Sequence, residues 1–189
     1  MNTVTATKME TTAARATQLK ARIAGTFYLL TFVMGAVALV MGSGMPIANI
    51  IATFPYIGVT VLFYWLFKPV SKSLSSVAAL FSAAGCAITL LSPFHLISAR
   101  VNPLVFFGFY CLLIGYLIYK STFMPRFVGV LMAIGGLGWL TFVSVAFAKS
   151  LAPYNFAPGI IGEGTLTVWL LVKGINSERW NALAGTRDL

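Results

Sequence analysis

The stretch LVFFGFYCLLIGYLIY, residues 104–119, contains no charged side chain and does not alternate between polar and apolar residues. A strand of a membrane β-barrel would alternate. Lipid offers no partner to backbone N–H and C=O groups, so a spanning segment without alternation must be a helix. A helix needs about 20 residues to cross a hydrocarbon core of about 30 Å. The stretch therefore predicts a transmembrane helix over residues 103–119.

The rest of the chain has the same character. Its 189 residues are 59% hydrophobic and 9% charged, whereas a soluble domain is about 45–50% apolar and about 25% charged. Pro46, Pro103 and Pro158 suit helix starts, whereas Pro55 and Pro93 should kink a helix or end it early. The predicted transmembrane helices are residues 23–42, 46–67, 75–97, 103–119, 127–148 and 157–172.

The basic residues predict the orientation. With a cytoplasmic N-terminus, eleven of the 13 Lys and Arg residues face the cytoplasm, and only Arg100 and Lys149 face outside. This is the positive-inside pattern. The sequence thus predicts an all-α membrane protein, with six transmembrane helices in one bundle and both termini cytoplasmic. Residues 1–20 are predicted as a flexible tail or a fraying helix extension, 21–174 as the transmembrane domain and 175–189 as a cytoplasmic tail.

The net charge of +9 raises the question of nucleic-acid binding. Basic residues that bind nucleic acid cluster on one soluble face. Here they flank the apolar segments, which excludes nucleic acid and predicts the lipid bilayer as the main partner.

The residues that could carry chemistry are few. One histidine, four acidic residues and two cysteines provide no metal-binding motif, and no metal site is predicted. Cys86 and Cys111 lie in apolar segments and are interpreted as small buried hydrophobic residues. Haem ligation by His95 would need a second ligand such as Met, so the cofactor stays unknown. Small residues let helices approach closely, which predicts helix packing at Gly135, Gly136 and Gly138.

Three polar residues form the candidate site: Glu163, Arg100 and His95. Glu163 lies five residues after the proline that starts the sixth segment, and His95 lies five residues before Arg100. A rise of 1.5 Å per residue puts both about 7–8 Å below the outer surface. Glu163 shares a helix face with Gly159 and Thr167, while His95 shares one with residues 84, 88, 92 and 99. These small and polar stripes predict faces that point into the bundle.

Glu163 has two interpretations. As a structural group it would hold the bundle together through a partner, Arg100 in the first place and His95 as the alternative. As a functional group it would bind a proton or a ligand, because an ionisable residue inside a membrane is a functional candidate by default. His95 alone is more simply an interfacial histidine.

Three blocks resemble a known family: RIAGTFYLLTFVMGAVA (22–38), FFGFYCLLIGYLIYKSTFMPRFVGVLMAIGGLGWL (106–140) and GEGTLTVWLLVKGI (162–175). The junction LFKPVSKSLS (66–75) is similar as well. These blocks resemble the bacterial membrane family catalogued as domain of unknown function 4386. The resemblance implies a multi-pass protein of the bacterial inner membrane and implies no activity; Glu163 falls in the Gly-Glu block.

Three classes of function follow. The first is a non-enzymatic protein that binds or passes a small or lipophilic molecule at the outer-side pocket of Glu163, Arg100 and His95. The second is an accessory or structural subunit that binds another membrane protein. The third is an enzyme with Glu163 and His95 as acid and base. The sequence shows no nucleophile, metal set or cofactor motif, which favours the first class and leaves enzymatic activity uncertain.

Overall fold

The computed structural model describes residues 3–41, 46–97 and 101–185. Within these ranges the chain is helical and contains no β-strand, which confirms the predicted all-α class. The α-helices are Thr3–Met41 (α1), Pro46–Phe67 (α2), Lys72–Leu91 (α3), Pro103–Lys120 (α4), Arg126–Leu140 (α5), Val145–Leu151 (α6), Ala157–Val172 (α7) and Ser177–Gly185 (α8). Single 3₁₀ turns cover Ser92–Phe94, Thr141–Val143 and Tyr154–Phe156.

In the part of the chain that the structure describes, four helical segments are long and apolar enough to cross a membrane. They are Ile47–Phe67, Lys72–Phe94, Pro103–Lys120 and Arg126–Val143. Large apolar side chains on these segments point outward, among them Val61, Leu80 and Leu137, with 62%, 68% and 58% of their surface exposed. Apolar surface on this scale is typical of contact with lipid or another protein. The fold is therefore that of a helical, membrane-like protein.

Six helices form a closed ring. Each of α1 to α5 packs against the next in chain order, α5 packs against α7, and α7 packs back against α1. At the contact between α7 and α1, Leu170 and Leu171 lie against Gly25. The ring gives the bundle an interior to which every one of these helices has access.

Helices α4 and α5 approach each other closely. A Cβ placed on Gly115 would lie 2.7 Å from the Gly129 carbonyl oxygen, and one on Gly136 would lie 2.7 Å from the Gly108 carbonyl oxygen. Each contact sets backbone against backbone, with no flexible side chain between the helices. Glycine at these positions allows the two helices to touch, as small residues do in membrane helix pairs.

The N-terminal segment differs from the prediction of a flexible tail over residues 1–20. Helix α1 begins at Thr3 and continues without a break into the first apolar segment, which agrees with the alternative of a helical extension. Thr17 and Ala21 are buried. The Gln18 side chain donates to the Lys173 carbonyl oxygen (2.9 Å) and accepts from the Ile175 N–H (3.0 Å). These long-range bonds hold the extension against the end of α7.

The C-terminal segment is also more ordered than a tail. Helix α8 packs at the end of the bundle where α2, α4 and α7 finish, called here the α8 end. The Trp180 indole N–H donates to the Leu66 carbonyl oxygen at 2.7 Å, and the Trp180 ring stacks on Trp65 with centroids 4.5 Å apart. A buried tryptophan anchors α8 to α2, so residues 177–185 belong to the folded unit.

The predicted fifth segment, 127–148, is not one helix. Helix α5 ends at Leu140, and Ser144 adopts an extended conformation (φ −123°, ψ 125°) whose Oγ accepts from the Phe147 N–H at the start of α6. A serine that satisfies the free N–H groups of a new helix favours this break. Near Pro93, α3 ends early as predicted, whereas α2 continues through Pro55.

Candidate functional site

Glu163 lies on the inner face of α7. Its side chain is only 6% exposed, and the buried face of the helix includes Gly159, Gly162 and Thr167, as the sequence predicts. Its carboxyl oxygen Oε1 accepts two side-chain hydrogen bonds. The donors are the Trp139 indole N–H from α5 and the Cys111 thiol from α4, the latter at 3.6 Å. Three helices thus meet at this carboxyl.

Gly159 makes room for the Trp139 indole. A Cβ on Gly159 would overlap the six-membered ring of the indole and approach its nitrogen to 2.8 Å. Gly159 lies one turn before Glu163 on the same face of α7. The missing side chain therefore leaves the space through which Trp139 reaches the carboxyl.

Three tyrosines complete the polar interior. The hydroxyl groups of Tyr28 (α1), Tyr56 (α2) and Tyr110 (α4) are buried and form no hydrogen bond of ordinary geometry among the described residues. The Tyr28 hydroxyl nevertheless lies close enough to interact with both the Glu163 carboxyl and the Tyr56 hydroxyl. Their rings are in contact, with centroids 5.6 Å apart for Tyr28 and Tyr56 and 5.9 Å apart for Tyr56 and Tyr110. All three hydroxyls interact electrostatically with Glu163. A phenol hydroxyl both donates and accepts hydrogen bonds.

We call these six residues the interior polar cluster: Tyr28, Tyr56, Tyr110, Cys111, Trp139 and Glu163. They come from α1, α2, α4, α5 and α7, and all six side chains are buried. A buried polar group without a hydrogen bond costs about 1–3 kcal/mol. The hydroxyls and the carboxyl provide oxygen atoms whose chemistry suits a proton or a small cation.

The structure does not bring His95 to Glu163. His95 is exposed and follows the 3₁₀ turn after α3, with a left-handed backbone conformation (φ 57°). Helix α3 packs against α2 and α4, whereas α7 packs against α5 and α1. No hydrogen bond between the two side chains is present in the described part of the chain. Arg100 lies outside the described residues, so its pairing with Glu163 stays a prediction.

The inner face of α3 also differs from the predicted one. The buried residues are Ser75, Ala78, Ser82, Gly85, Cys86 and Ile88. This face is turned relative to the predicted stripe: of Ala84, Ile88, Ser92 and His95, only Ile88 is buried. The fifth predicted position, Ala99, lies outside the described residues. The stripe assumed a helix that continues to the end of the apolar segment, whereas α3 ends at Leu91. On the buried face of α3, the Ser82 hydroxyl forms a hydrogen bond with the Thr60 hydroxyl of α2, with 2.5 Å between the two oxygen atoms.

The three glycines predicted to pack helices lie in two interfaces. A Cβ on Gly135 would lie 3.1 Å from the Pro158 carbonyl oxygen, and one on Gly138 would lie 3.0 Å from the Pro158 side chain, so both face α7. Gly136 faces α4. The glycines therefore allow α7 and α4 to pack closely against α5, the helix that carries Trp139.

Sequence reasoning missed most of the cluster. Tyr28, Tyr56 and Tyr110, whose hydroxyls are buried, were not among the predicted site residues. A usable signal was present in Trp139, because a tryptophan inside a packed helix has an N–H that needs an acceptor when buried. For metals, no group of three or more potential ligand residues occurs in the ranges that the structure describes. Both cysteines there are free and buried.

Comparison with known proteins gives two matches. The profile of the family described as domain of unknown function (DUF4386) matches residues 100–174, which include α4, α5, α7 and Glu163. An uncharacterized protein of Archaeoglobus fulgidus is 34% identical over 125 residues, covering 61% of this chain and 75% of that protein. No solved structure matches the chain.

Proposed function

We propose that this chain, which belongs to the DUF4386 family of unknown function, is a non-enzymatic membrane protein that binds a small cation, the proton included, at Glu163. The site lies inside a six-span bundle with both termini in the cytoplasm, in the inner membrane of a bacterium. Binding, and passage if the site opens to both sides, would be its molecular role. The ligand approaches from the outer side, the side nearer to Glu163.

Several observations support the six-span topology. The ring of α1, α2, α3, α4, α5 and α7 has one helix for each predicted apolar segment. Helix α7 has 16 residues, which gives about 24 Å at 1.5 Å per residue, and the preceding 3₁₀ turn lengthens it. The eleven-to-two distribution of basic residues supports cytoplasmic termini. Glu163 lies about 9 Å from the start of α7, in the first half of this helix.

The observation that carries the proposal is the buried carboxyl without a cationic partner in the described residues. Its donors are an indole N–H and a thiol. An ionised carboxylate in an apolar interior needs a nearby opposite charge, and removing one member of a buried pair costs about 3–5 kcal/mol. A bound proton or cation would supply that charge. The buried hydroxyls of Tyr28, Tyr56 and Tyr110 would supply further oxygen ligands.

Two alternatives make different predictions. An acid–base enzyme needs Glu163 and His95 on one substrate, yet Glu163 is buried inside the bundle whereas His95 is exposed in the turn after α3. An accessory subunit should copurify in a fixed ratio with another membrane protein. Gentle purification from native membranes tests this second alternative, and a stoichiometric partner would favour it over cation binding.

Ligand-dependent stability tests the proposal directly. The unfolding midpoint in detergent is measured against pH and against sodium, ammonium and methylammonium chloride, with choline chloride keeping the ionic strength constant. A ligand at 100 times its Kd stabilises the folded state by about 2.7 kcal/mol. The unfolding midpoint of the wild type should therefore rise as the pH falls, if the ligand is a proton, or as the concentration of one of the cations increases. Glu163→Gln should abolish this response. Glu178→Gln, the same change at an exposed residue of α8, should keep it.

A midpoint that responds to neither pH nor any cation would contradict the proposal. A double-mutant cycle then identifies the structural partner. If Arg100 pairs with Glu163, Arg100→Met and Glu163→Gln should each destabilise, and the double mutant should recover much of the loss. Simple addition of the two losses would exclude Arg100 and direct the same cycle to His95→Phe.

A further inference from the structure

The groups around the Glu163 carboxyl restrict which cation it can bind. Its Oε1 atom accepts from the Trp139 indole N–H and from the Cys111 thiol. An indole N–H is a donor only, and a thiol is a weak donor. Both groups therefore point a hydrogen atom, the positive end of the bond, at Oε1. A metal ion at this oxygen would be repelled by those hydrogens, which leaves Oε2 as the oxygen for a ligand.

The interior polar cluster offers few ligands of the kind that a metal ion prefers. Hard cations such as Mg²⁺ and Ca²⁺ take about six to eight oxygen atoms, chiefly from carboxylates, carbonyl groups and water. Glu163 is the one carboxylate of the cluster, and its other oxygen atoms belong to phenol hydroxyls. A proton has smaller requirements: it needs one oxygen to bind and one acceptor for the hydrogen bond of the resulting O–H group.

Tyr28 can serve Glu163 with and without a proton. The Tyr28 hydroxyl lies close enough to interact with the Glu163 carboxyl and with the Tyr56 hydroxyl. Because a phenol hydroxyl both donates and accepts, it can donate to the carboxylate and accept from the carboxylic acid. When it donates to Glu163 it is free to accept from Tyr56, and when it accepts from Glu163 it donates to Tyr56. A group that only donates cannot make this exchange.

The other groups that face Glu163 do not bring an opposite charge. The titratable side chains of the neighbouring helices that interact with it are phenols and a thiol: Tyr28 from α1, Tyr56 from α2, and Tyr110 and Cys111 from α4. Phenols and thiols are uncharged at neutral pH in ordinary surroundings. Helix α5 contributes the indole of Trp139, which is uncharged as well. Among the described residues, neutral donors and acceptors therefore surround the carboxyl.

We infer that the ligand of Glu163 is the proton and not a metal or ammonium ion, with the proton on Oε2 and the Tyr28 hydroxyl as the acceptor of its hydrogen bond. Binding forms one O–H bond at Oε2 and breaks none, and Tyr28 keeps its own proton and only turns. Tyr28 is thus a positioning residue. This inference rests on the proposed function, for which it names the ligand.

The identity of the ligand is tested by titrating the carboxyl in different salts. The C=O stretch of protonated Glu163, isolated as the infrared difference between wild type and Glu163→Gln, is followed against pH in choline, sodium, ammonium and magnesium chloride of equal ionic strength. A site for the proton alone should titrate at the same midpoint pH in every salt. A competing cation should lower that midpoint by about one pH unit for each tenfold rise in its concentration.

The outcomes separate this inference from the proposed function. A midpoint that moves with one of the cations would overturn the proton as the exclusive ligand and would leave cation binding at Glu163 intact. A band that responds to neither pH nor salt would contradict both. A midpoint that is reached by pH and is the same in all four salts is the result that we expect.

The role of Tyr28 is tested by Tyr28→Phe, which removes the hydroxyl and keeps the ring. The protonated carboxyl then loses its acceptor, so its C=O band should move to higher wavenumber. Tyr110→Phe is the matched control, because its hydroxyl interacts with Glu163 only electrostatically, and it should leave the band in place. A band that stays in Tyr28→Phe, or moves equally in both variants, would overturn Tyr28 as the partner. If Tyr28→Phe does not fold, the wild-type salt series decides the identity of the ligand.

Discussion

Replacing Gly159 by alanine should push Trp139 away from Glu163. The new Cβ would overlap the six-membered ring of the indole and come within 2.8 Å of its nitrogen. The indole is held between α5 and α7 and touches Phe156 at 5.8 Å between centroids. It has to shift to accommodate the methyl group, and the hydrogen bond to the Glu163 Oε1 is lost.

The expected loss of stability follows from three contributions. Overpacking of a core costs about 1–3 kcal/mol. A lost hydrogen bond that leaves a buried acceptor poorly satisfied costs about 1–3 kcal/mol. Alanine in a helix gains about 1 kcal/mol over glycine. The net destabilisation should be about 1–5 kcal/mol, with the centre of that range near 3 kcal/mol.

The matched control is Gly164→Ala on the same helix. A Cβ on Gly164 meets nothing within 4 Å, so this variant should be as stable as the wild type or slightly more stable. Unfolding of both variants in mixed micelles is followed by circular dichroism, and tryptophan fluorescence reports the indole environment. Equal unfolding midpoints for the two variants, with unchanged fluorescence, would refute the contact between Gly159 and Trp139.

Three further predictions concern the bundle. Gly136→Ala should lower the free energy of unfolding by about 1–3 kcal/mol, because backbone atoms of α4 occupy the space that the new methyl group needs. The control is Gly35→Ala, which places its methyl group in open space and should not destabilise. Equal effects of the two substitutions would exclude the close contact between α4 and α5. In a variant without native cysteines, a cysteine that replaces the exposed Tyr154 should react with an impermeant thiol reagent in intact cells. A cysteine that replaces Ser73 should react only after lysis. The reverse pattern would contradict the proposed orientation. Gln18→Ala should speed hydrogen exchange at residues 173–176, and unchanged exchange would show that the α1 extension does not hold that turn.

The elements of the fold were largely predictable because each depends on local sequence. An apolar run in lipid has to be helical, and the predicted starts at Pro46 and Pro103 coincide with α2 and α4. The inner face of α7 followed from the spacing of Gly159, Glu163 and Thr167. The break after Leu140 was missed because the apolar run continues through it, and only the cap at Ser144 marks the new helix.

The composition of the site was not predictable in the same way. Spacing along one helix gives the depth and the face of a residue, but not which helices are neighbours. Because the ring places α7 between α5 and α1, Trp139 and Tyr28 share the interior with Glu163, while His95 is exposed in the turn after α3. Depth from the outer surface suggested His95 as a partner, and depth alone does not separate two sides of a ring.

The most direct test of cation binding at Glu163 is infrared spectroscopy of its carboxyl group. The protonated form has a C=O stretch that the carboxylate lacks, and difference spectra between wild type and Glu163→Gln isolate this band in the folded protein. We expect the band to disappear and return reversibly as the pH is cycled, or to be lost at constant pH when a binding cation replaces the proton. If the intensity of this band, whether present or zero, stays the same under both changes while the protein remains folded, the protonation state of Glu163 is fixed. That result would show a structural carboxyl and contradict the proposed function.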